Sequence, residues 1–224
     1  MYCDRTYESF QTEPKVSCCA LGWAPFALLL AFIPLGCRNQ TVYVPMAGSY
    51  YLNPDVDLSK LGRVALVEFD NRSSYPEMPA ALSDGLFVAL QKKQRFGLFE
   101  VGKNDPVWRS LQSEVESVWS PELLLEMRRA LRCDAVLTGV LTKYEPYPHT
   151  TVGLRMRLID LRDGKLLWAV EQVWDGTDEG TCARIRKHMA GKNGMSEAAG
   201  AEALVVVSGR KFIQFVAYEV GETL

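Results

Sequence analysis

Three carboxylates in one short stretch, Asp175, Asp178 and Glu179, have the clearest capacity for chemistry in this sequence. Carboxylates at such spacing bind a cation or act as general acid and base, which would make the protein a hydrolase. They follow a predicted strand, where a solvated turn and an acidic helix N-terminus are the more usual structures. We therefore favour the turn and keep the hydrolase as the third of three hypotheses.

A second polar run, Asn53, Asp55 and Asp57, resembles the start of a calcium loop. Such a loop needs a glycine at its sharp turn and a glutamate further on, and neither follows here. Only two histidines occur, His149 and His188, which leaves little for histidine-based metal binding or acid–base chemistry. We predict no metal and no cofactor.

The composition excludes further classes of function. The chain has 224 residues, of which 48% are apolar and 23% charged, as is ordinary for a globular protein. A net charge of −2 gives no sign of a nucleic-acid-binding protein. The sequence contains neither a glycine-rich nucleotide loop nor the motif of a zinc protease or serine hydrolase. We predict no catalytic residues, no nucleic acid partner and no small-molecule substrate.

Two of the six cysteines, Cys133 and Cys182, follow the first 37 residues. In an exported domain these two would be able to form one disulfide. Cys133 also stands beside apolar residues at the start of a predicted strand, as a buried free thiol does. Both alternatives stay open. The sequence has no C-x-x-C motif, so it supports neither a zinc ribbon nor a redox pair of the thioredoxin type.

Several cationic and aromatic side chains are candidate contacts for a protein or lipid partner. They lie on the outer side of a predicted strand, in a proline-containing loop between two strands, and at the basic end of a predicted helix. Each group also has a plainer interpretation as a solvated surface. The candidates are Arg155, Arg157, Tyr147, His149, Arg184, Arg186 and Lys187.

The hydrophobic pattern predicts the element order β-α-β-α-α-β-β-β-α-α. Strands are predicted at 63–71, 96–101, 134–144, 151–160 and 166–174. Helices are predicted after Pro76 and Pro79, in two pieces within 107–132 split at Ser120-Pro121, at 178–192, and after Ser208, with a loop at 190–200.

These elements predict a single α/β domain over 61–224, with a mixed parallel and antiparallel sheet flanked by helices. Helices between the first strands imply parallel pairing, whereas the Asp163-Gly164 turn implies an antiparallel hairpin. Residues 151–160 alternate between apolar and polar side chains, with Arg155 and Arg157 on the polar side. One face of that hairpin should therefore be buried.

Residues 20–36 form an uncharged apolar run that ends at Cys37. The run fits the hydrophobic region of a signal peptide, and its end resembles the lipobox of bacterial lipoproteins. That resemblance implies a signal peptide over 1–36 and a diacylated Cys37 as the mature N-terminus. Arg38 follows the cysteine in place of the aspartate that is typical of retention in the inner membrane. The resemblance therefore implies that the lipoprotein is anchored in the outer membrane and faces the periplasm. A membrane anchor that is kept, and cleavage without lipidation, are the alternatives.

Residues 37–60 are predicted to be a tether, because prolines, glycine and polar residues interrupt any regular pattern. The segment is either extended or an arm that lies on the domain. Tyrosines at 43, 50 and 51 are expected to pack on the domain rather than to form a ligand platform.

Three pieces of sequence together suggest a family: the strand VALVEFDNRSS, the strand CDAVLTGVLTKYEPY, and the hairpin LRMRLIDLRDGKLLWAVEQVW. They resemble the periplasmic α/β fold of CsgG-type proteins, the N-terminal domain of TolB, and LpoB-type lipoproteins. The resemblance covers roughly residues 63–176. It implies an envelope lipoprotein that works through contact with another envelope protein.

The leading hypothesis is therefore a non-enzymatic outer-membrane lipoprotein that assembles or regulates an envelope complex. The alternative is a subunit of a CsgG-like secretion or surface-assembly complex, which would form symmetric rings. A pore is disfavoured, because the long hairpin at 151–174 is the one that the fold itself uses, and membrane-spanning strands need a fully apolar face.

Overall fold

The computed structural model describes residues 50–112, 119–193 and 198–224. The predicted leader, Cys37 and the first part of the predicted tether lie outside these residues. The described strands are β1 Tyr50–Leu52, β2 Arg63–Val67, β3 Asp70–Asn71, β4 Gly97–Val101, β5 Ala135–Glu145, β6 Thr151–Asp160 and β7 Leu166–Asp175. The helices are α1 Met78–Lys93, α2 Pro106–Gln112, α3 Pro121–Leu131, α4 Glu179–Asn193, α5 Ala198–Val207 and α6 Gly209–Thr223, with a 3-10 helix at Leu58–Lys60.

One mixed sheet connects all of the described strands. Its order is β1-β7-β6-β5-β2-β4, and β3 pairs with β5. The strand β2 is parallel to both β4 and β5, because helices connect them, whereas β5, β6 and β7 are successively antiparallel. The predicted mixed α/β domain is thus confirmed.

Local sequence explains the β6–β7 hairpin. Gly164 adopts a φ of 72°, which glycine tolerates without steric cost, and the Asp160 N–H donates to the Lys165 carbonyl at 3.0 Å. Along β6 the even-numbered residues from 152 to 158 are buried, while Arg155 and Arg157 are exposed. The predicted turn and alternation are both confirmed.

The helix α3 begins where the sequence predicts. The hydroxyl of Ser120 accepts a hydrogen bond from the Leu123 N–H at 3.2 Å, and Pro121 lies in the first turn. Helix α2 ends at Gln112, so the predicted division of 107–132 into two helices is confirmed. Residues 113–118 between them lie outside the described part of the chain.

Two elements differ from the sequence-based prediction. Helix α4 extends to Asn193 and α5 begins at Ala198, within the stretch expected to be a loop. Tertiary packing explains α5, because its Val205 and Val206 are buried against the sheet and α6. The other element is β1, which adds an edge strand to β7. Residues 50–60 of the predicted tether are therefore part of the folded domain.

The two faces of the sheet are covered unequally. On one side, which we call the covered face, a large hydrophobic cluster joins the sheet to α1, α4, α5 and α6. On the other side, α2 and α3 pack only over β2, β4, the start of β5 and the end of β6. The rest of that side, which we call the open face, consists of Tyr51, Thr138, Val140, Arg155, Arg157, Ala169, Glu171 and Val173. Among the described helices, none has both the length and the apolar composition that crossing a bilayer requires.

Candidate functional site

Two of the three carboxylates near residue 175 serve as turn and cap groups, and the third, Glu179, is the first residue of α4. Asp175 accepts hydrogen bonds from the Thr177 N–H (2.8 Å) and hydroxyl (2.7 Å). Asp178 likewise accepts from the Thr181 N–H (2.7 Å) and hydroxyl (2.9 Å) at the start of α4. These hydrogen bonds hold the pKa of both carboxyls below the ordinary value. The site thus has the geometry of the favoured turn.

The run from Asn53 to Asp57 has the same kind of local geometry. The Asn53 side chain accepts from the Asp55 N–H, and Asp57 accepts from the N–H and hydroxyl of Ser59. Over residues 50–112, 119–193 and 198–224, no group of three or more His, Cys, Asp or Glu side chains is arranged to hold a metal ion.

Cys133 and Cys182 are both free thiols, which corrects the disulfide alternative. Cys133 packs in the cluster beneath α2 and α3, whereas Cys182 packs against the cluster of the covered face, so the sheet separates them. Burial raises the pKa of the Cys133 thiol to about 11. Burial also raises the pKa of the Cys182 thiol, so neither cysteine has the lowered pKa of an activated nucleophile.

Arg184 is not a surface contact, which corrects another prediction. Its guanidinium donates through Nε to both carboxylate oxygens of Glu219, at 2.8 and 3.0 Å. The Trp174 indole N–H donates to the same carboxylate at 2.8 Å. The Arg184 and Glu219 side chains are only 9% and 8% exposed. This buried pair joins α4 to α6 and β7.

The other two predicted cations of α4 lie on its surface. Arg186 is exposed and donates to Glu202 of α5 at 2.9 Å, and Lys187 is also exposed. This surface belongs to the helical layer of the covered face. Arg155 and Arg157 project from the open face instead, so the structure does not bring the two predicted basic groups together.

The open face carries two arginines in different settings. Arg155 pairs with Glu171 on the neighbouring strand at 2.5 Å. Arg157 forms no ion pair with a described residue, and its row across the sheet runs from Thr138 through Ala169 to Tyr51. The open face is therefore exposed to solvent and combines charged side chains with a few apolar ones.

The loop of Tyr147 and His149 lies at one end of the sheet. Tyr147 is 85% exposed and His149 is exposed too. The loop is anchored by Thr150, whose N–H donates to the Val206 carbonyl at 3.0 Å and whose carbonyl accepts from the Gly176 N–H at 3.0 Å. Its side chains are thus presented on a fixed backbone.

A groove between α1 and α6 was not predicted from the sequence. It has a volume of about 670 Å³, with His188 of α4 at its side, and we call it the α1–α6 groove. Small residues let the two helices approach closely: a Cβ added at Gly85 would lie 3.3 Å from the Ala217 Cβ, and one added at Gly221 would lie 3.4 Å from the Ala89 Cβ. These pairs also show that α1 and α6 run parallel.

The α1–α6 groove combines apolar and charged side chains. Val88 is 50% exposed and Tyr218 is 38% exposed at its walls. Lys92 near the end of α1 and Arg210 at the start of α6 lie at opposite ends of the groove, and neither forms an ion pair with a described residue. Sequence patterns missed this site because its two walls are far apart along the chain.

Comparisons with known proteins add similarities of fold. No protein-family model matches the chain. No curated protein sequence matches it either. A PelC dodecamer structure from Paraburkholderia phytofirmans is 15% identical, covers 74% of this chain and 94% of its own, and has a TM-score of 0.41. The lipoprotein GNA1162 from Neisseria meningitidis is 19% identical over 58% of this chain and 94% of its own, with a TM-score of 0.41.

LpoB from Escherichia coli, solved by NMR, is similar at the same level. It is 17% identical, covers 75% of this chain and 90% of its own, and has a TM-score of 0.36. These are likenesses in the arrangement of strands and helices. The predicted resemblance to CsgG-type proteins and to TolB stays a prediction, whereas the mixed α/β domain is the fold of this chain.

Proposed function

We propose that the protein is an outer-membrane-anchored lipoprotein of the periplasm, and that its domain is a non-catalytic module that assembles or regulates an envelope complex by binding another envelope protein. The α1–α6 groove is the observation that carries the docking role. It offers exposed apolar side chains within a concave surface, which is how an apolar helix or strand of a partner is commonly bound. The uncharged apolar run at residues 20–36, which ends at Cys37, supports the lipid anchor.

The chemistry of the groove specifies the partner. Lys92 and Arg210 form no ion pair with a described residue and lie at opposite ends of the groove. The lining between them includes the apolar side chains of Val88 and Ile213, and it also includes Asp84 and the Lys93–Glu222 ion pair. A matching segment would carry apolar residues in its middle and a carboxylate towards each end. Such an arrangement favours one orientation of the docked segment, because each carboxylate must reach its own cation.

The anchor is tested by comparing the natively expressed protein with a Cys37→Ala variant. We expect the wild type to carry a diacylglyceryl mass on Cys37 and to sediment with the outer membrane, while the variant leaves the membrane fraction. A variant that still sediments, with Met1 retained, would show that residues 20–36 are an anchor and would remove the lipoprotein part of the proposal.

The docking role is tested by cross-linking in the intact cell. A photoreactive residue at Val88 in the groove is compared with one at Val173 on the open face, since the two valines are 50% and 55% exposed. We expect one discrete adduct from Val88, lost when Lys92 and Arg210 are changed to glutamate. An equal adduct from Val173, or none from Val88, would contradict docking in the groove.

A further inference from the structure

Helix α5 presents an apolar side to solvent. Glu202 is the only charged residue of Ala198–Val207, and it faces α4, where Arg186 donates to it at 2.9 Å. Val205 and Val206 are buried against the domain. The exposed residues recur at helical spacing on the other side of the helix: Gly200, Ala203, Leu204 and Val207. Leu204 is 56% and Val207 is 60% exposed, whereas the outer side of a surface helix normally carries polar residues.

The last turn of α5 lies beside the loop that presents Tyr147. The Val206 carbonyl accepts the Thr150 N–H at 3.0 Å, so the two segments are fixed to each other. A Cβ added at Gly176 would lie 2.9 Å from Cγ1 of Val206, which places the end of β7 beside them. Tyr147 is 85% exposed. The end of the sheet at which β5 and β7 finish therefore carries three large exposed side chains, which we call the α5–Tyr147 surface: Leu204, Val207 and Tyr147.

The chain enters the domain from this same end. Strand β1 is antiparallel to β7, with Tyr50 opposite Val170, so Tyr50 is the residue of β1 nearest to the end of β7 at Asp175. The five residues from Val170 to Asp175 span about 17 Å in a strand. The twelve residues between Cys37 and Tyr50 extend to at most about 40 Å. A chain attached to a membrane ahead of Tyr50 therefore has the length to bring this end of the domain to the bilayer.

Charges of both signs lie at this end, so the apolar side chains have to supply most of the binding. Arg210 and Lys211 are exposed in the first turn of α6, directly after α5, while Asp175 and Asp178 lie in the turn before α4. Aliphatic and tyrosine side chains enter the boundary between head groups and acyl chains, and nearby cations attract anionic lipid. This composition fits a bilayer in which anionic lipids are the minority.

We propose that the α5–Tyr147 surface inserts into the head-group region of the membrane to which the chain is attached, and holds this end of the domain on the bilayer. Membrane attachment is the part of the proposed function on which this rests. A diacylated Cys37 and a retained anchor at residues 20–36 serve equally, because both precede Tyr50. Since α6 begins at this end, the α1–α6 groove then has Arg210 close to the membrane and Lys92 away from it.

The test is photo-cross-linking of the full chain in intact cells, with the adducts identified by mass spectrometry. A diazirine-bearing residue replaces Leu204 on α5 or, as the matched control, Val173 on the open face, since these side chains are 56% and 55% exposed. We expect a phospholipid adduct from position 204 and none above background from position 173. Equal lipid adducts from the two positions would overturn the proposed orientation.

Val207→Gln separates membrane contact from stability. Keeping this position in water should shift the equilibrium about tenfold towards the released domain, and the lipid adduct from position 204 should fall accordingly. The melting temperature should stay within about 2 °C of the wild type, because Val207 is exposed. The control Val173→Gln should leave the lipid adduct unchanged. A matching fall in the melting temperature of Val207→Gln would make Val207 a structural residue and overturn its assignment.

The other occupants of this surface give distinct adducts from position 204. An adduct with another protein, with a second copy of this chain or with residues 38–49 would each overturn the lipid assignment. Absence of any adduct, from a chain that still sediments with membranes, would remove only this inference. A chain that does not sediment at all would remove the proposed anchoring, whereas failure of the Val88 cross-link would remove only the docking role.

Discussion

Arg184 and Arg155 each form an ion pair with a glutamate, in two regions that expose the pair to solvent to very different degrees. The Arg184–Glu219 pair is almost fully buried between α4, α6 and β7, and the indole of Trp174 shares its carboxylate. The Arg155–Glu171 pair spans two strands of the open face, with side chains 46% and 62% exposed. The sequence offered both arginines as partner contacts, yet only the exposed one is available to a partner.

The difference follows from solvation. A buried charge that loses its partner has no water to replace it, so breaking the pair is costly. An exposed pair exchanges its ion contact for water and salt, so breaking it costs little. The covered face is therefore expected to control stability, and the open face to tolerate change.

The sharpest test compares two valines of β7. Val170 lies on the covered face and is 2% exposed, whereas Val173 lies on the open face and is 55% exposed. Val170→Asp should destabilise the domain by more than about 4 kcal/mol, because it buries an unpaired charge. Val173→Asp should stay within about 0.5 kcal/mol of the wild type. Urea unfolding measures both, and similar losses in the two variants would contradict the unequal covering of the sheet.

Arg184→Met tests the buried pair directly. The substitution leaves the Glu219 carboxylate without its cation and should cost about 3–5 kcal/mol. Adding Glu219→Gln should recover most of that loss, since the amide oxygen still accepts from the indole of Trp174. The measurement is a double-mutant cycle by urea unfolding. Additive losses, with no recovery, would mean that the pair contributes only through packing.

Trp174→Phe removes the neutral donor of the same carboxylate. We expect a loss of about 1–3 kcal/mol, because a hydrogen bond to a charged group is lost while the ring stays buried. Thermal unfolding followed by near-ultraviolet circular dichroism measures it. A loss as large as that of Arg184→Met would show that the indole, and not the guanidinium, stabilises Glu219.

Arg155→Ala should have the smallest effect. We expect the melting temperature to change by less than about 2 °C, since the pair is exposed. The Arg155 hydrogen bond lowers the pKa of Glu171 below its ordinary 4.5. The pair's contribution is therefore complete above pH 4.5 and is lost as the pH falls through the lower folded pKa. If the melting temperatures of Arg155→Ala and the wild type still differ below the folded pKa of Glu171, Arg155 acts through packing instead.

Local patterns predicted much of the fold. The alternation of β6, the Asp163-Gly164 turn and the Ser120 cap each depend on residues within a few positions of one another, and each is present in the structure. Helix α5 was missed because neighbouring glycines suggested a loop, while the packing of Val205 and Val206 against distant elements makes it a helix.

The candidate sites were harder to predict than the elements. The α1–α6 groove depends on the parallel packing of two helices at Gly85 and Gly221, which no local pattern reveals. A small cleft likewise brings together Glu68, Asp84 and Glu100, which lie directly after β2, in α1 and in β4. Arg184 looked like part of a basic helix end until Glu219, from the last helix, was placed beside it.

The sequence by itself determined the order of most strands and helices, the mixed pairing of the sheet, and the buried side of β6. These features follow from periodicity, turn chemistry and helix capping, which act over a few residues. Only the tertiary structure decided which charges are buried, that the two thiols lie on opposite sides of the sheet, and where the concave surfaces lie. Burial and charge pairing depend on which distant elements pack together, so they are properties of the assembled domain.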